Sequence, residues 1–398
     1  MGVVSSLGVG TGQVTESLRE ARSGIRFIPE RRELGFRSAL SGAIDDFKPR
    51  FPLPKKIRKN MTTYAGWAYE SVMEAVANAK LPLELLRSPR TGVIFGNDSS
   101  CRASFEQAEL TRELKNTSQI SSGAVFQSMT SCASMNLATI LGIQGASWSL
   151  SGACASGGHA IGQAADLIAS GRQDRIVCGG AQEINWEVIC SFDAICAFST
   201  REDDPERASR PFDADRDGLV PSGGSAAVLL EDLESAKERG APIFGEVISY
   251  AFSSDGSHIA LANGEGLARC MAEVLELGSV SPEEIDLISA HATSTPMGDA
   301  VEADAIGSVF GEARPWVMST KSMTGHEMWA SGASQVVYSL LMAHNGFISA
   351  NLNFERPDEK TAGLKIPAET ISETPETILC NSAGFGGTNS CLVVRAGS

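Results

Sequence analysis

Two rhythms of apolar and polar residues alternate along the chain. Short β-branched or apolar runs at 91–95, 147–150, 175–179, 226–230, 245–251, 286–290, 316–320, 377–381 and 390–395 predict strands, since side chains on alternating faces, or a run buried on both, suit a pleated sheet. Longer stretches at 61–79, 156–170, 264–277, 300–310 and 332–344 keep helical spacing and predict helices between them. Strand and helix alternate from end to end, so an α/β architecture follows. The proline-bearing stretch 48–54 is too short for a linker and glycine is spread throughout, which predicts one compact body.

One arrangement occurs twice. Near residue 150 an apolar run leads through a Gly-rich loop, Ser-Gly-Ala-Cys-Ala-Ser-Gly-Gly at 151–158, into a helix. Near 320 the order returns with Lys-Ser-Met-Thr-Gly-His at 321–326. The echo is one of topology rather than of residue identity, and it predicts two similar halves, 1–240 and 241–398.

Composition narrows the partners more than the fold. Against 33 Lys and Arg stand 48 Asp and Glu, a net charge of −15, and so acidic a chain has no general attraction for nucleic acid. No apolar run reaches the roughly 18 residues of a bilayer span. The first residues lack the basic and apolar segments of a secretory signal, so a cytoplasmic chain is expected. Met-Gly-Val-Val-Ser-Ser at 1–6 fits a short myristoylation pattern by chance, and a glycine-containing turn is the expected structure there. Nine cysteines, an odd number without C-x-x-C spacing, predict a reduced set that is mostly buried.

Cys154 stands apart among them. It lies between an apolar strand and the start of a helix, where the helix dipole and unpaired N–H groups favour thiolate and lower a thiol's pKa. Gly152, Ala153, Ala155 and Gly157 leave room for a thioester and free backbone N–H groups for an oxyanion hole. Of the five histidines, His291 and His326 each follow a predicted strand, the place where α/β proteins assemble their sites. His159 lies five residues beyond Cys154, is turned to another side of that helix and reads as structural. Neither His291 nor His326 has the close His or carboxylate neighbours of a zinc site, so no metal is expected. A buried structural cysteine with hydrogen-bonded turn histidines is the alternative reading of the same residues.

Four motifs then occur in order: Gly-Ala-Cys-Ala-Ser-Gly-Gly-His (152–159), His-Ala-Thr-Ser-Thr-Pro-Met-Gly-Asp (291–299), Lys-Ser-Met-Thr-Gly-His (321–326) and Asn-Ser-Ala-Gly-Phe-Gly-Gly-Thr-Asn (381–389). Together they resemble the β-ketoacyl-acyl carrier protein synthases over residues 2–395. The segments Trp186-Glu187, Phe192-Asp193-Ala194, Ser199-Thr200 and Arg216-Asp217-Gly218 are most similar to the elongating type I enzymes. The resemblance implies a thiolase-like fold, with two α/β halves stacked as a five-layered αβαβα sandwich, and a homodimer. It implies that Cys154 takes an acyl chain as a thioester, and that His291 and His326 hold a malonyl thioester whose decarboxylation yields the enolate for a Claisen condensation. Lys321 falls on a lysine that orders the polar network, Thr293 and Thr295 on hydroxyls that bind the phosphopantetheine arm, and Phe385 on the gate of the acyl pocket. Met129 falls among the substrate-binding residues, and the N–H groups of Cys154 and Phe385 match the family's oxyanion hole. No metal or organic cofactor is implied, because departing CO2 drives the reaction.

The implied partner is an acyl carrier protein, itself acidic. Residues 48–59 hold six basic side chains and no acidic one, and Lys55, Lys56 and Lys59 fall where the family docks its carrier, a patch able to steer an acidic partner despite the net charge. Asp299 and Glu302 fall on acidic positions near the lysine, with an exposed helix start as the alternative. The chain also departs from the pattern. Ala292 replaces a Gly, Ala383 a Phe beside the gate, Glu327-Met328-Trp329 a run of small residues, and Gln335 a Glu that pairs with the lysine. The match begins about eight residues late, with residues 2–8 on the loop that follows the family's first strand, so that either the start of the chain is truncated or a core strand is absent. The competing readings are a ketosynthase of a specialised polyene or polyketide pathway, a non-catalytic partner subunit such as a chain-length factor, and a cysteine hydrolase.

Overall fold

A computed structural model describes residues 1–45 and 47–397. Thirteen strands run through these residues: β1 (Gly2–Ser5), β2 (Gly8–Val9), β3 (Ile25–Phe27), β4 (Leu40–Gly42), β5 (Thr91–Gly96), β6 (Ser147–Leu150), β7 (Arg175–Gln182), β8 (Gly224–Glu231), β9 (Gly245–Ser254), β10 (Leu287–Ser289), β11 (Trp316–Met318), β12 (Thr377–Gly384) and β13 (Thr388–Ala396). One sheet has the order β2-β1-β8-β7-β5-β6, a second β11-β10-β12-β13-β9, and β3 pairs with β4 alone. In the first, β5 is parallel to β6 and β7, after which β8 and β1 run antiparallel. In the second, β10 is parallel to β11 and β12, after which β13 and β9 run antiparallel. Strand for strand, β6-β5-β7-β8-β1 recurs as β11-β10-β12-β13-β9. The echo in the sequence is this repeat, β6 leading into Cys154 and β11 into His326.

Six helices build the layers: α1 (Thr63–Asn78), α2 (Cys132–Leu141), α3 (Ser156–Ala169), α4 (Glu265–Gly278), α5 (Pro296–Phe310) and α6 (Ser331–His344). The strands dictate the stacking, because their residues alternate between two cores. Ile94, Ile176, Ile378 and Leu392 face a central core with Ile161 and Ala164 of α3 and Val336, Val337 and Leu341 of α6. Val93, Phe95 and Val177 face outward onto Trp67 and Val72 of α1 and Leu137 of α2. Leu379 and Val393 face outward onto Leu267, Met271 and Val274 of α4 and Ile306 of α5. The result is the expected five-layered αβαβα sandwich, with α3 and α6 as its middle layer. Each such aliphatic or aromatic side chain contributes about 1.5–3 kcal/mol on burial.

The middle layer explains one oddity of composition. Every residue of α6 from Ser331 to Ala343 is buried, polar ones included. A helix between two sheets has no solvent face, so Ser331, Ser334, Gln335 and Ser339 lie inside the protein, where a polar group left unpaired costs about 1–3 kcal/mol. Residues 2–8 correct the sequence expectation. Gly2–Ser5 is neither turn nor loop but a core strand, antiparallel to β8, with Val3 facing the central core and Val4 the outer one. No helix among the described residues is long and apolar enough to cross a membrane.

Candidate active site

Cys154 sits in the turn between β6 and α3. Ala153 takes the left-handed conformation, φ 46°, which costs a non-glycine residue about 1–3 kcal/mol. Three hydrogen bonds hold it there: Ala153 N–H donates to Asp98 Oδ2 at 3.2 Å, Ser156 Oγ donates to the Ala153 carbonyl at 2.6 Å, and Gly152 N–H donates to Ser156 Oγ at 2.8 Å. The turn is packed tightly from both sides. A Cβ on Gly96 of β5 would fall 2.4 Å from Gly157 N, and one on Gly384 of β12 would fall 3.0 Å from Cys154 N. Glycine at 384 thereby lets the Phe385 loop lie against the cysteine.

The thiol does not have the lowered pKa expected from its place at a helix start. Burial pushes it up to about 12, and the pull of Lys321 in the other direction is too small to offset this. A neutral thiol needs a base, and one is present. His326 Nε2 lies 3.1 Å from Cys154 Sγ. Complete burial, with Lys321 near, holds the His326 imidazole well below its usual pKa, so it is neutral at pH 7 and free to take a proton. His291 approaches from the end of β10, its ring 5.2 Å from that of His326 and nearly perpendicular to it, at 86°. Burial, with Lys321 and His326 adding repulsion, keeps His291 neutral as well.

The loop that carries His291 is hung on two buried carboxyls. Asp299 accepts N–H bonds from Thr293 (3.0 Å), Ser294 (3.2 Å), Thr295 (3.2 Å) and Phe212 (2.9 Å). Glu302 accepts from His291 N–H at 2.8 Å and from Asn381 Nδ2 at 3.3 Å. The exposed helix start considered for these two residues is therefore corrected, since both are buried. Lys321 is buried too, and desolvation lowers its pKa to about 8 although Glu302 and Glu327 pull upward. Its Nζ donates to Gln335 Oε1 at 3.4 Å. The amide at 335 has a reason of its own: Nε2 faces the carbonyls of Ser289 (2.7 Å), Asn381 (2.8 Å) and Ala290 (3.0 Å), which call for a donor that a carboxylate lacks. Glu327, which departs from the family pattern, is a third buried carboxyl and accepts from Tyr338 Oη at 2.8 Å.

These groups open onto a cavity of about 470 Å³ lined by Cys154, His291, His326, Thr293, Thr295 and Phe385, with Ala383 on its wall. Thr293 and Thr295 touch through their hydroxyls at 3.1 Å. Phe385 stacks on Phe192 at 5.7 Å, and Phe192 in turn on Phe198 at 6.5 Å, while Trp329 lies tilted against Phe192 at 6.3 Å. Trp329 thus fills space behind the cysteine. Met129 lies outside the cavity, 41 % exposed near the exposed Val125 and Phe126. Lys55, Lys56 and Lys59 are exposed on and beside the short helix Lys55–Arg58, and Lys59 Nζ donates to Ser122 Oγ at 3.2 Å. Sequence motifs pass over Ser331, whose Oγ lies 3.1 Å from His326 Nδ1. The available signal was a serine at the start of a helix between two sheets.

Two family descriptions match the chain: Beta-ketoacyl synthase, N-terminal domain over residues 1–236, and Beta-ketoacyl synthase, C-terminal domain over residues 244–355. The chain is 41 % identical to the 3-oxoacyl-acyl-carrier-protein synthase 1 of Escherichia coli over 398 residues, covering 99 % of this chain and 97 % of that one. It is 40 % identical to the enzyme of the same name from Haemophilus influenzae, with the same coverage. Among solved structures, a β-ketoacyl synthase from Burkholderia phymatum superposes with a TM-score of 0.94 at 30 % identity, over 100 % of this chain and 98 % of that one. A type II polyketide ketosynthase bound to its acyl carrier protein superposes with a TM-score of 0.90 at 30 % identity, with the same coverage.

Proposed function

The chain belongs to the β-ketoacyl synthase family, and we propose from this that it joins an acyl group to malonyl-acyl carrier protein, giving β-ketoacyl-acyl carrier protein and CO2 in fatty acid elongation. The observation that carries the reading is the 3.1 Å contact between Cys154 Sγ and His326 Nε2 on a cavity that His291 also lines. In the first half-reaction the sulfur attacks the acyl thioester, its proton passes to Nε2, and the departing pantetheine sulfur takes that proton as its C–S bond breaks. In the second, His326 takes a proton from solvent at Nε2, and His291 and His326 hold the carbonyl oxygen of the malonyl thioester as CO2 leaves. The enolate carbon attacks the acyl carbonyl, whose oxyanion meets the N–H groups of Cys154 and Phe385, and the C–S bond to Cys154 breaks, the leaving thiolate taking the proton from His326 Nε2. Lys321, hydrogen-bonded to Gln335 and attracted by the Glu302 carboxyl, orders the polar side of the site, and Thr293 and Thr295 receive the phosphopantetheine arm. No cofactor takes part in this scheme. The direct test supplies acyl- and malonyl-carrier and measures 3-oxoacyl-carrier and released CO2; no CO2 above the malonyl-carrier blank would refute it. A panel of acyl lengths that includes polyenoyl chains separates elongation from a specialised polyene or polyketide pathway, the reading favoured by Ala383 and Trp329. A chain-length-factor role leaves the cysteine and both histidines without a task, and a hydrolase leaves the two threonines without one.

We place the carrier on Lys55, Lys56 and Lys59. Reversing all three to Glu is expected to raise KM for acyl carrier about tenfold or more, with the effect fading as salt rises, while kcat on a short acyl-pantetheine stays near wild type. We also read the chain as a cytoplasmic homodimer of protomers whose halves are 1–240 and 241–398. β6 is an open sheet edge bearing Trp148, 41 % exposed, and Phe105, Val125, Phe126 and Met129 are exposed as well. An open edge with exposed apolar side chains is a template for pairing. Trp148→Glu is expected to move sedimentation from the dimer toward the monomer, and an unchanged profile would count against this face.

A further inference from the structure

His326 is completely enclosed, so each of its ring nitrogens depends on a protein partner. Nε2 has Cys154 Sγ at 3.1 Å, and Nδ1 has Ser331 Oγ at 3.1 Å. The neighbouring His291 shows the contrast, since its Nδ1 is buried without any partner. The placement of Ser331 is specific. The chain leaves His326 through Glu327, turns at Met328 with φ 44°, makes the short helix Met328–Ala330 and begins α6 at Ser331, so that the first residue of α6 folds back onto the ring. A serine at a helix start commonly spends its hydroxyl on a backbone N–H of the first turn. Here Ala330 holds the cap position without a side-chain bond, and the Ser331 hydroxyl points at the imidazole instead.

We propose that Ser331 is a positioning residue that holds the His326 ring with Nε2 on Cys154, its Oγ accepting from Nδ1–H while Nε2 takes up and releases the thiol proton. The inference rests on the acyl-transfer reading above. The Ser331 oxygen can accept from Nδ1–H, which a backbone N–H in the same place could not do. When Nε2 takes the thiol proton, the ring becomes an imidazolium whose Nδ1–H must be accepted, and the Ser331 oxygen accepts it. When Nε2 passes that proton to the departing pantetheine sulfur, the ring is neutral again and the same bond persists. The orientation of Nε2 therefore survives the proton transfer in both directions, in an interior where an unpartnered ring nitrogen is costly.

The test uses Ser331→Ala and Ser331→Thr in the full chain. Ser331→Ala is expected to lower kcat for condensation about tenfold to a hundredfold, the scale on which partners of a working histidine act, with KM for both carriers within about twofold and an unchanged melting profile. Ser331→Thr, which keeps the hydroxyl, is expected to recover most of that loss. Nitrogen-15 spectra of histidine-labelled protein, with the His326 signals assigned from their absence in His326→Ala, give a readout independent of turnover. Wild type is expected to show one tautomer of His326 and Ser331→Ala a mixture. Wild-type kcat together with a single tautomer in Ser331→Ala overturns the inference. A wild-type protein that transfers no acyl group but still shows the tautomer change overturns the reading of the reaction and leaves the role of Ser331 in orienting the ring intact.

Discussion

Cys154→Ser is expected to abolish the gain of one acyl mass that wild-type protein shows after incubation with an acyl-carrier thioester, and to lower condensation by about 10³-fold or more. The argument rests on the environment of the sulfur. Burial keeps the Cys154 thiol neutral, with a pKa of about 12, so the nucleophile forms only as its proton moves to His326. An alcohol in the same place is harder still to deprotonate and a poorer nucleophile, and a neutral imidazole whose pKa is depressed by burial is too weak a base to compensate. The label must be located by peptide mapping, because Cys190 and Cys196 are free and exposed whereas Cys154 is buried. An unlabelled Cys154 in wild type, with its thiol reachable by an alkylating agent, would sink the acyl-enzyme altogether.

The two histidines are expected to separate by half-reaction. His291→Ala removes a ring that makes no hydrogen bond to the sulfur, so acylation of Cys154 should proceed within about threefold of wild type while condensation falls by about 10²–10⁴. His326→Ala removes the base at 3.1 Å, and both half-reactions should slow. Single-turnover acylation followed by malonyl-carrier addition measures the two steps apart. Normal condensation in both variants would refute the two-histidine scheme. The pH profile follows from signs already fixed. Both imidazoles are held neutral through pH 7 because burial lowers their pKa values. Lys321, at about 8, loses its proton as pH rises through that value. Condensation is therefore expected to be flat near neutrality and to fall on the alkaline side of about pH 8.

How much of this lay in the sequence depends on whether the signal is local or spatial. The Cys154 turn and the His326 loop were legible as strand, small-residue loop and helix, and their repetition foretold the paired sheets. β1 was missed because four residues, with glycine at one end and serine at the other, give a single alternation and no period to read. The depth of the site was missed as well. A helix start bearing Asp299 and Glu302 is the pattern of an exposed, dipole-favoured turn, and only its position under the His291 loop makes those carboxyls buried acceptors. The thiol pKa failed for the same reason: helix position argues downward, desolvation argues upward, and desolvation is a property of the assembled layers. Ser331 and Gln335 carry no motif, and their meaning comes from a helix that has no face toward water.

The middle layer also has a consequence for synthesis of the chain. Cys154 and His326 are 172 residues apart, so at about 5–20 residues per second a ribosome makes the cysteine roughly 10–30 s before the histidine exists. During that interval the thiol has the acidity of an ordinary cysteine, no base, and no second sheet to cover it. A nascent chain therefore holds the nucleophile without the base or the cavity of the finished site, and its thiol is more open to oxidants before α6 docks than in the finished protein. Packing of the second sheet and α6 against the first brings the base to the nucleophile and covers it at the same place.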